Sequence, residues 1–162
     1  MSIPFDEKNI CMAEKLSSQN IVLNLKSDNK TDLIKELAER LKGHPNLLNF
    51  NQFVKDIFKR EEDTSTGVGD GIAIPHARTN AVNDFVVAIG RRQPGIDFNA
   101  VDGQPVEVVI MMGTSLERVS LYLRLLAHLS HLLKRPGFNE GLKTAATPQE
   151  VIDLFFRYEA RD

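Results

Sequence analysis

The sequence predicts a single α/β domain in which one β-sheet is covered by helices. Short apolar runs typical of strands alternate along the chain with longer segments whose apolar residues recur at helical spacing. The length of 162 residues suits one domain, and no repeat, low-complexity stretch or linker divides it. The run from Val106 to Met112 is apolar enough to predict a strand that is buried on both faces of the sheet.

Local signals predict the individual elements. The predicted strands are 21–25, 72–74, 85–90 and 106–112. The predicted helices are about 33–41, 51–61 and 117–134, followed by a last helix that begins at Pro148 and runs through Phe156. Thr147 is a good N-cap for that last helix, and proline suits its first position. Residues 1–17 are expected to form a leader with weak structure, and 63–71 a glycine-rich loop.

Composition excludes several classes of function. With 20 basic and 22 acidic residues the net charge is -2, which gives no electrostatic basis for binding nucleic acid. The single cysteine, Cys11, rules out an internal disulfide and a Cys-rich metal cluster. No apolar run approaches the roughly 20 residues of a membrane span, and the N-terminus lacks a signal core. A cytoplasmic protein with no membrane insertion, no metal and no cofactor is therefore expected.

Chemistry is concentrated at His76, which follows a proline. A neutral histidine can accept and release a group near neutral pH, provided that one ring nitrogen is free to attack. Pro75 has a fixed φ and biases Ile74 towards an extended backbone, so the pair is expected to set His76 rigidly at a strand end.

The residues before His76 are suited to binding phosphate. Glycine N–H groups and hydroxyls can point at phosphoryl oxygens, and an arginine fork matches their geometry. The predicted phosphate-binding residues are Ser65, Thr66, Gly67, Gly69, Gly71 and Arg60. A purely structural glycine-rich loop beside a strand is also compatible with this composition, so the residues alone leave both interpretations open.

A resemblance favours the first interpretation. The stretch Ser-Thr-Gly-Val-Gly-Asp-Gly-Ile-Ala-Ile-Pro-His at 65–76 resembles the signature of the type-2 (fructose/mannitol) enzyme IIA family of the bacterial sugar phosphotransferase system, which includes nitrogen-regulatory members. The Arg60–Glu61 pair, the block from 95 to 106 and the leucine-rich segment 123–129 are similar to the family as well. The likeness extends from about Leu16 to Phe156, so 1–162 is interpreted as one enzyme IIA domain.

This resemblance implies a three-layer sandwich with a mixed central sheet flanked by helices, the mannitol-type enzyme IIA fold. It also implies a phosphotransferase activity in which His76 carries the phosphoryl group and Arg60 faces it. The donor would be phospho-HPr, or its nitrogen-branch counterpart, and the acceptor an enzyme IIB. The alternative is a regulatory enzyme IIA that acts as a phosphorylation-dependent protein-binding switch.

One position departs from the family pattern. Many members carry a second histidine at the start of the leucine-rich helix, where this chain has Tyr122. A tyrosine hydroxyl can donate a hydrogen bond to a phosphoryl oxygen or to His76, but the side chain cannot become cationic. A core aromatic on the apolar stripe of the helix is the alternative interpretation.

Other polar residues have simpler explanations. His128 and His131 have the spacing of a metal pair, but no carboxylate or thiol joins them and a solvated helix face is expected. Glu61 and Asp63 are expected either to be exposed or to orient Arg60. His44 is expected at the surface, and Cys11 is expected to be a free thiol without a role.

Overall fold

The computed structural model describes residues 4–160, which form one mixed β-sheet between two layers of helices. The strands are β1 (Ile21–Val22), β2 (Gly67–Gly69), β3 (Ile72–Ala73), β4 (His76–Arg78), β5 (Phe85–Ile96) and β6 (Val106–Thr114). The helices are α1 (Lys30–Ala38), α2 (Phe50–Asp63), α3 (Val119–Lys134), α4 (Phe138–Thr144) and α5 (Pro148–Glu159). The predicted α/β sandwich is therefore confirmed.

The sheet has the order β1-β5-β6-β3-β2, and β4 also pairs with β6 beyond the end of β3. Strands β5 and β6 are antiparallel, whereas β1 runs parallel to β5 and both β3 and β4 run parallel to β6. The sheet is thus mixed, as the resemblance implies. Strand β6 lies at its centre and is buried along almost its whole length, in agreement with the prediction for 106–112.

Successive side chains of β6 belong alternately to two hydrophobic cores. Val108, Ile110 and Met112 face the layer of α3, α4 and α5, while Val109 and Met111 face the layer of α1 and α2. Successive side chains of a strand point to opposite faces, so a continuous apolar run is what a doubly covered strand requires. Burying each of these side chains contributes about 1.5–3 kcal/mol to folding.

Side-chain caps begin the helices α1, α2 and α5. Asn29 accepts a hydrogen bond from the N–H of Asp32 to begin α1, and Asn49 accepts one from Gln52 to begin α2. Thr147 caps α5 with Pro148 in the first position, as predicted. Helix α2 runs two residues beyond the predicted end, to Asp63, and carries both Arg60 and Glu61 near its C-terminus. Among the described residues, none of the helices combines the length and hydrophobicity that crossing a bilayer requires.

The prediction of weak structure for residues 1–17 is wrong from residue 4 onwards; residues 1–3 lie outside the described residues. Phe5, Met12 and Leu16 are buried against the layer of α3, α4 and α5, and a short 3₁₀ turn spans Met12–Lys15. Glu159 at the end of α5 accepts hydrogen bonds from the N–H groups of Met12 and Ala13 at 2.7 and 3.0 Å. The anchor is almost 150 residues away in sequence, so no local pattern indicates it.

Three further differences concern short elements. Helix α4 was not expected, because it has only seven residues, contains Gly141 and follows the helix-ending Arg135-Pro136-Gly137. Strand β2 lies within the predicted loop 63–71. Strand β5 continues past 90 to Ile96, where its register on β6 shifts.

Candidate functional site

His76 is the first residue of β4, and its partner across the sheet is Met112 of β6. Pro75, which has no N–H to give to the sheet, separates β3 from β4, and its carbonyl accepts a hydrogen bond from the N–H of Met112 at 2.9 Å. His76 therefore begins a strand of its own rather than ending the strand at 72–74 as expected. The residue is 7% exposed and lies on the side of the sheet that α3 covers.

The orientation of the imidazole is set by the backbone two residues earlier. Nδ1 of His76 lies 2.6 Å from the carbonyl oxygen of Ile74. Because a carbonyl oxygen only accepts hydrogen bonds, Nδ1 carries the proton and the lone pair of the neutral ring is on Nε2. The extended backbone that Pro75 favours at Ile74 helps to place this carbonyl.

Two effects lower the pKa of His76 below its usual value of 6.5. Burial disfavours the charged imidazolium, and the nearby Arg60 guanidinium repels it. The hydrogen bond to the Ile74 carbonyl and the negative charge of Glu61 act in the opposite direction but do not cancel the shift. His76 is therefore neutral at neutral pH, which is the state that a nucleophile requires.

Tyr122 of α3 lies beside this imidazole. The ring centroids of His76 and Tyr122 are 5.7 Å apart and the rings are inclined by 52°. Both side chains border a small cavity whose remaining lining is Ala77, Met112, Thr114 and Leu125. The hydroxyl of Thr114 is buried there and has no hydrogen-bond partner among the described residues.

A cleft of about 550 Å³ opens in front of Tyr122 and Ala77, which border both it and the small cavity. It contains three basic side chains, Lys59, Arg60 and Arg78, and its other lining residues are Gln52, Asp56, Asp63, Thr79, Asn80 and Leu116. The guanidinium of Arg60 donates to the carbonyl of Thr64 at 2.9 Å, and the guanidinium of Arg78 donates to the carbonyl of Leu116 at 2.7 Å. The side chain of Asp56 is occupied by Gln52 and Thr79. With three basic side chains against the two carboxylates of Asp56 and Asp63, the lining carries a net positive charge, and it adjoins the small cavity that His76 borders.

The predicted hydroxyl donors point elsewhere. Ser65 donates its hydroxyl to the carbonyl of Phe98 at 2.5 Å, and both the N–H and the hydroxyl of Thr66 donate to the carboxylate of Glu61 at 2.8 and 2.6 Å. Thr66 is also 4% exposed. Both hydroxyls are engaged within the protein in this arrangement, so each would have to leave its present acceptor to bind a phosphoryl group.

The three glycines that were predicted to bind phosphate lie in the hairpin of β2 and β3. Gly69 and Gly71 have φ of 106° and 80° and form the turn between β2 and β3. The carbonyl of Gly71 accepts a hydrogen bond from the N–H of Val108 in β6. Met112, the partner of His76, lies four residues further along β6, at a distance of roughly 13 Å. The N–H of Gly67 donates to the Ser65 hydroxyl, and a side chain at Gly67 would approach Ala100 to within 2.8 Å. These glycines serve the hairpin and its packing.

Sequence reasoning missed two contributions to this region and misplaced others. Lys59 borders the cleft and Thr114 borders the small cavity with His76. Neither gave a signal, because only the packing of α2 on β4 and the pairing of β4 with β6 bring them to this region. The expectation that His128 is solvated is wrong, since its Nε2 lies 2.6 Å from the buried carboxylate of Glu159; His131 is exposed as expected. His44 is half-buried, and burial lowers its pKa.

Cys11 is a free thiol, as expected. It lies near Glu159, and burial together with that negative charge raises the pKa of the thiol. Within residues 4–160, no three His, Cys, Asp or Glu side chains are grouped to hold a metal ion.

Similarity to known proteins agrees with this architecture. The fructose-specific EIIABC component of Bacillus subtilis is 33% identical over 148 residues, which are 91% of this chain and 23% of that protein. The fructose-specific EIIA component of Haloferax volcanii is 38% identical over 98 residues, which are 60% of this chain and 64% of that protein. The chain therefore spans less than two thirds of the length of either relative.

Solved structures match over almost their whole length. The nitrogen regulatory protein IIA-Ntr from Neisseria meningitidis superposes with a TM-score of 0.82 at 28% identity, covering 89% of this chain and 98% of that one. IIA mannitol from Escherichia coli shares the fold with a TM-score of 0.73 at 24% identity, covering 87% and 99%. The model of the phosphoenolpyruvate-dependent sugar phosphotransferase system EIIA 2 family matches residues 14–158. The chain belongs to this family of phosphoryl-transfer proteins.

Proposed function

We propose that this protein carries a phosphoryl group on Nε2 of His76, accepts it from histidine-phosphorylated HPr or the nitrogen-branch counterpart, and passes it to an enzyme IIB. The observation that carries the proposal is the hydrogen bond from Nδ1 of His76 to the Ile74 carbonyl. This bond fixes the tautomer whose Nε2 lone pair is free, beside a cleft that holds three basic side chains. Placing a neutral nucleophile next to cations suits the transfer of a charged group.

In the proposed reaction the Nε2 lone pair attacks phosphorus in line with the departing imidazole of the donor. The new N–P bond forms as the donor's N–P bond breaks, and the donor ring leaves with that electron pair. Phosphorylated His76 becomes cationic because Nδ1 keeps its proton, and the Ile74 carbonyl stabilises this charge. Transfer to a thiol or imidazole of enzyme IIB repeats the step with the roles exchanged.

The arrangement favours a different set of phosphate contacts from the one expected from sequence. Arg60 retains the proposed role, because it lines the cleft and acts electrostatically on His76. Tyr122 replaces the hydroxyls of Ser65 and Thr66, since its half-buried side chain lies beside His76 and borders the same cleft. A phenol donates one hydrogen bond to a phosphoryl oxygen without adding charge.

The test is incubation with phosphoenolpyruvate, enzyme I and HPr, followed by intact-mass measurement. We expect a gain of one phosphoryl group in the wild-type protein and no gain in His76→Ala. The control is His44→Ala, a matched change at a half-buried histidine elsewhere in the chain, which should keep the gain. The absence of any gain with either kind of HPr would refute the carrier function.

A second function is favoured by the similarity to IIA-Ntr, which covers 98% of that protein. In this alternative the phosphorylation state of His76 switches binding to a target protein. The two functions differ in the fate of the phosphoryl group. Loss of the phosphoryl group to an added enzyme IIB within the time of a chase supports the carrier, whereas a stable phosphoprotein with a phosphorylation-dependent partner supports the switch.

A further inference from the structure

Glu61 is a buried carboxylate in the last turn of α2. Its side chain is only 4% exposed, although it lies in a run of charged residues that ordinarily face solvent. A buried carboxylate destabilises a protein unless hydrogen bonds and charges compensate it. The compensating groups are Nζ of Lys30 at 2.8 Å and the N–H and hydroxyl of Thr66 at 2.8 and 2.6 Å. Glu61 thus binds Thr66 and Lys30 rather than orienting its neighbour Arg60.

From Glu61 a continuous path leads to the imidazole. The carboxylate binds Thr66, the carbonyl of Thr66 accepts a hydrogen bond from the N–H of Ile74 at 3.0 Å, and the carbonyl of Ile74 accepts the one from Nδ1 of His76. Thr66, Ile74 and His76 are all buried, so water does not compete for these bonds. The position of the Ile74 carbonyl therefore depends on the hydrogen bonds that Thr66 donates to Glu61.

We propose that Glu61 is a positioning residue for phosphoryl transfer at His76. Through Thr66 and Ile74 it fixes the tautomer that leaves Nε2 free. Its negative charge also favours the cationic imidazole that forms when Nε2 is phosphorylated. The first role concerns the resting protein alone, whereas the second rests on the proposed function.

Charges on the neighbouring elements determine how large this effect is. Lys30 of α1 partly neutralises Glu61, and Arg60 of α2 opposes it by lowering the pKa of His76. The ring centroid of Tyr122 on α3 lies 5.7 Å from that of His76, so this side chain adds a phenol to the surroundings of the imidazole. Removing the negative charge of Glu61 should therefore lower the pKa of His76 further, because only the hydrogen bond to the Ile74 carbonyl then opposes burial and Arg60.

The test compares Glu61→Gln with Glu36→Gln. Glu36 is a matched control, because its carboxylate likewise accepts from the N–H and hydroxyl of one residue, Ser27, at 3.0 and 2.7 Å, and it does not act on His76. Nitrogen-15 NMR of the imidazole gives the tautomer and pKa of His76, and the HPr reaction gives the phosphorylation rate. We expect Glu61→Gln to lower the pKa of His76, to mix the two tautomers and to slow phosphorylation at least about tenfold, with no such changes in Glu36→Gln.

Thr66→Val is the second variant and addresses the case in which Glu61→Gln does not fold. It removes one hydrogen bond to Glu61 and keeps the size of the side chain, so we expect smaller changes in the same direction. If the wild-type protein is phosphorylated and both variants match Glu36→Gln in tautomer, pKa and rate, the positioning role is refuted and the carrier function stands. If the wild-type protein is not phosphorylated, the carrier function fails, while the tautomer and pKa still decide whether Glu61 positions the ring.

Discussion

At the residue scale, the central feature is a histidine whose burial and charge partners keep it neutral. The pKa of His76 is lowered by burial and by Arg60, and its proton is held on Nδ1 by Ile74. A neutral imidazole with one defined lone pair is a better nucleophile than an exposed histidine that exchanges between tautomers. The residue type together with the family resemblance indicated the nucleophile, but its tautomer follows from the backbone carbonyl that the fold brings to it.

The depressed pKa leads to a prediction about pH. Protonation removes the Nε2 lone pair, so the rate of phosphorylation by HPr should fall as the pH drops through the pKa of His76, with a midpoint below the usual 6.5. Because the Arg60 charge contributes to this shift, Arg60→Gln should move the midpoint upwards while also slowing the reaction. The measurement is the rate against pH for both proteins, and an unchanged or lower midpoint in Arg60→Gln would contradict the assigned electrostatics.

A second residue-scale prediction concerns Thr114. Its buried hydroxyl lacks a partner among the described residues, and an unsatisfied buried hydroxyl destabilises a protein. Thr114→Val keeps the shape and removes the hydroxyl, so we expect the free energy of unfolding to rise by about 1 kcal/mol. Thr114→Ser, which keeps the hydroxyl and loses a methyl group, should instead lower it. Urea unfolding checks both changes, and a loss of stability in Thr114→Val would show that the hydroxyl is bonded.

At the element scale, the last turns of α2 connect the site to the layer opposite α3. In these turns Arg60 lies on the cleft and Glu61 in the interior, although the two residues are consecutive. Side chains that follow each other on a helix point about 100° apart, which is enough to separate an exposed role from a buried one. The sequence predicted the helix and the charges, but not which charge would be buried.

The N-terminal segment gives an element-scale prediction about stability. Glu159 of α5 holds the N–H groups of Met12 and Ala13 and also binds His128 of α3. Glu159→Ala leaves these buried groups without a partner, so we expect the free energy of unfolding to fall by roughly 2–4 kcal/mol. The exposed Glu140 provides the control, because Glu140→Ala should change it by less than about 0.5 kcal/mol.

Urea unfolding of both variants measures the difference. Limited proteolysis between residues 5 and 17 should also accelerate in Glu159→Ala alone. Equal stability and equal proteolysis in the two variants would show that the segment is held by its apolar contacts and not by Glu159.

At the scale of the whole molecule, the sheet and its two helical layers were predictable because the spacing of apolar residues along the chain is a local signal of strands, helices and their buried faces. The apolar run at Val106–Met112 indicated the central strand. Asn29 and Thr147, which begin α1 and α5, are of residue types that are preferred at the N-cap of a helix. The packing of residues 4–17 and the short helix α4 depend on contacts with distant residues, and no periodicity marks them.

The candidate site was predictable to a similar degree. His76 and Arg60 were singled out, and the structure brings them into one electrostatic environment. The hydroxyls of Ser65 and Thr66 and the glycines of the hairpin were assigned to phosphate from their type alone. In the structure Ser65 donates to Phe98, Thr66 donates to Glu61 and Gly71 accepts from β6. Residue type does not indicate these contacts, and the phosphate-binding role of these residues stays a prediction.

The most direct test of the central claim is the position of the phosphoryl group on the imidazole. The protein is phosphorylated with phosphoenolpyruvate, enzyme I and HPr, and phosphorus–nitrogen couplings are measured by NMR on histidine-labelled protein. We expect the phosphorus to couple to Nε2 of His76 while Nδ1 keeps its proton on the Ile74 carbonyl. Phosphorus on Nδ1, or on any residue other than His76, would contradict the geometry on which the proposed function rests.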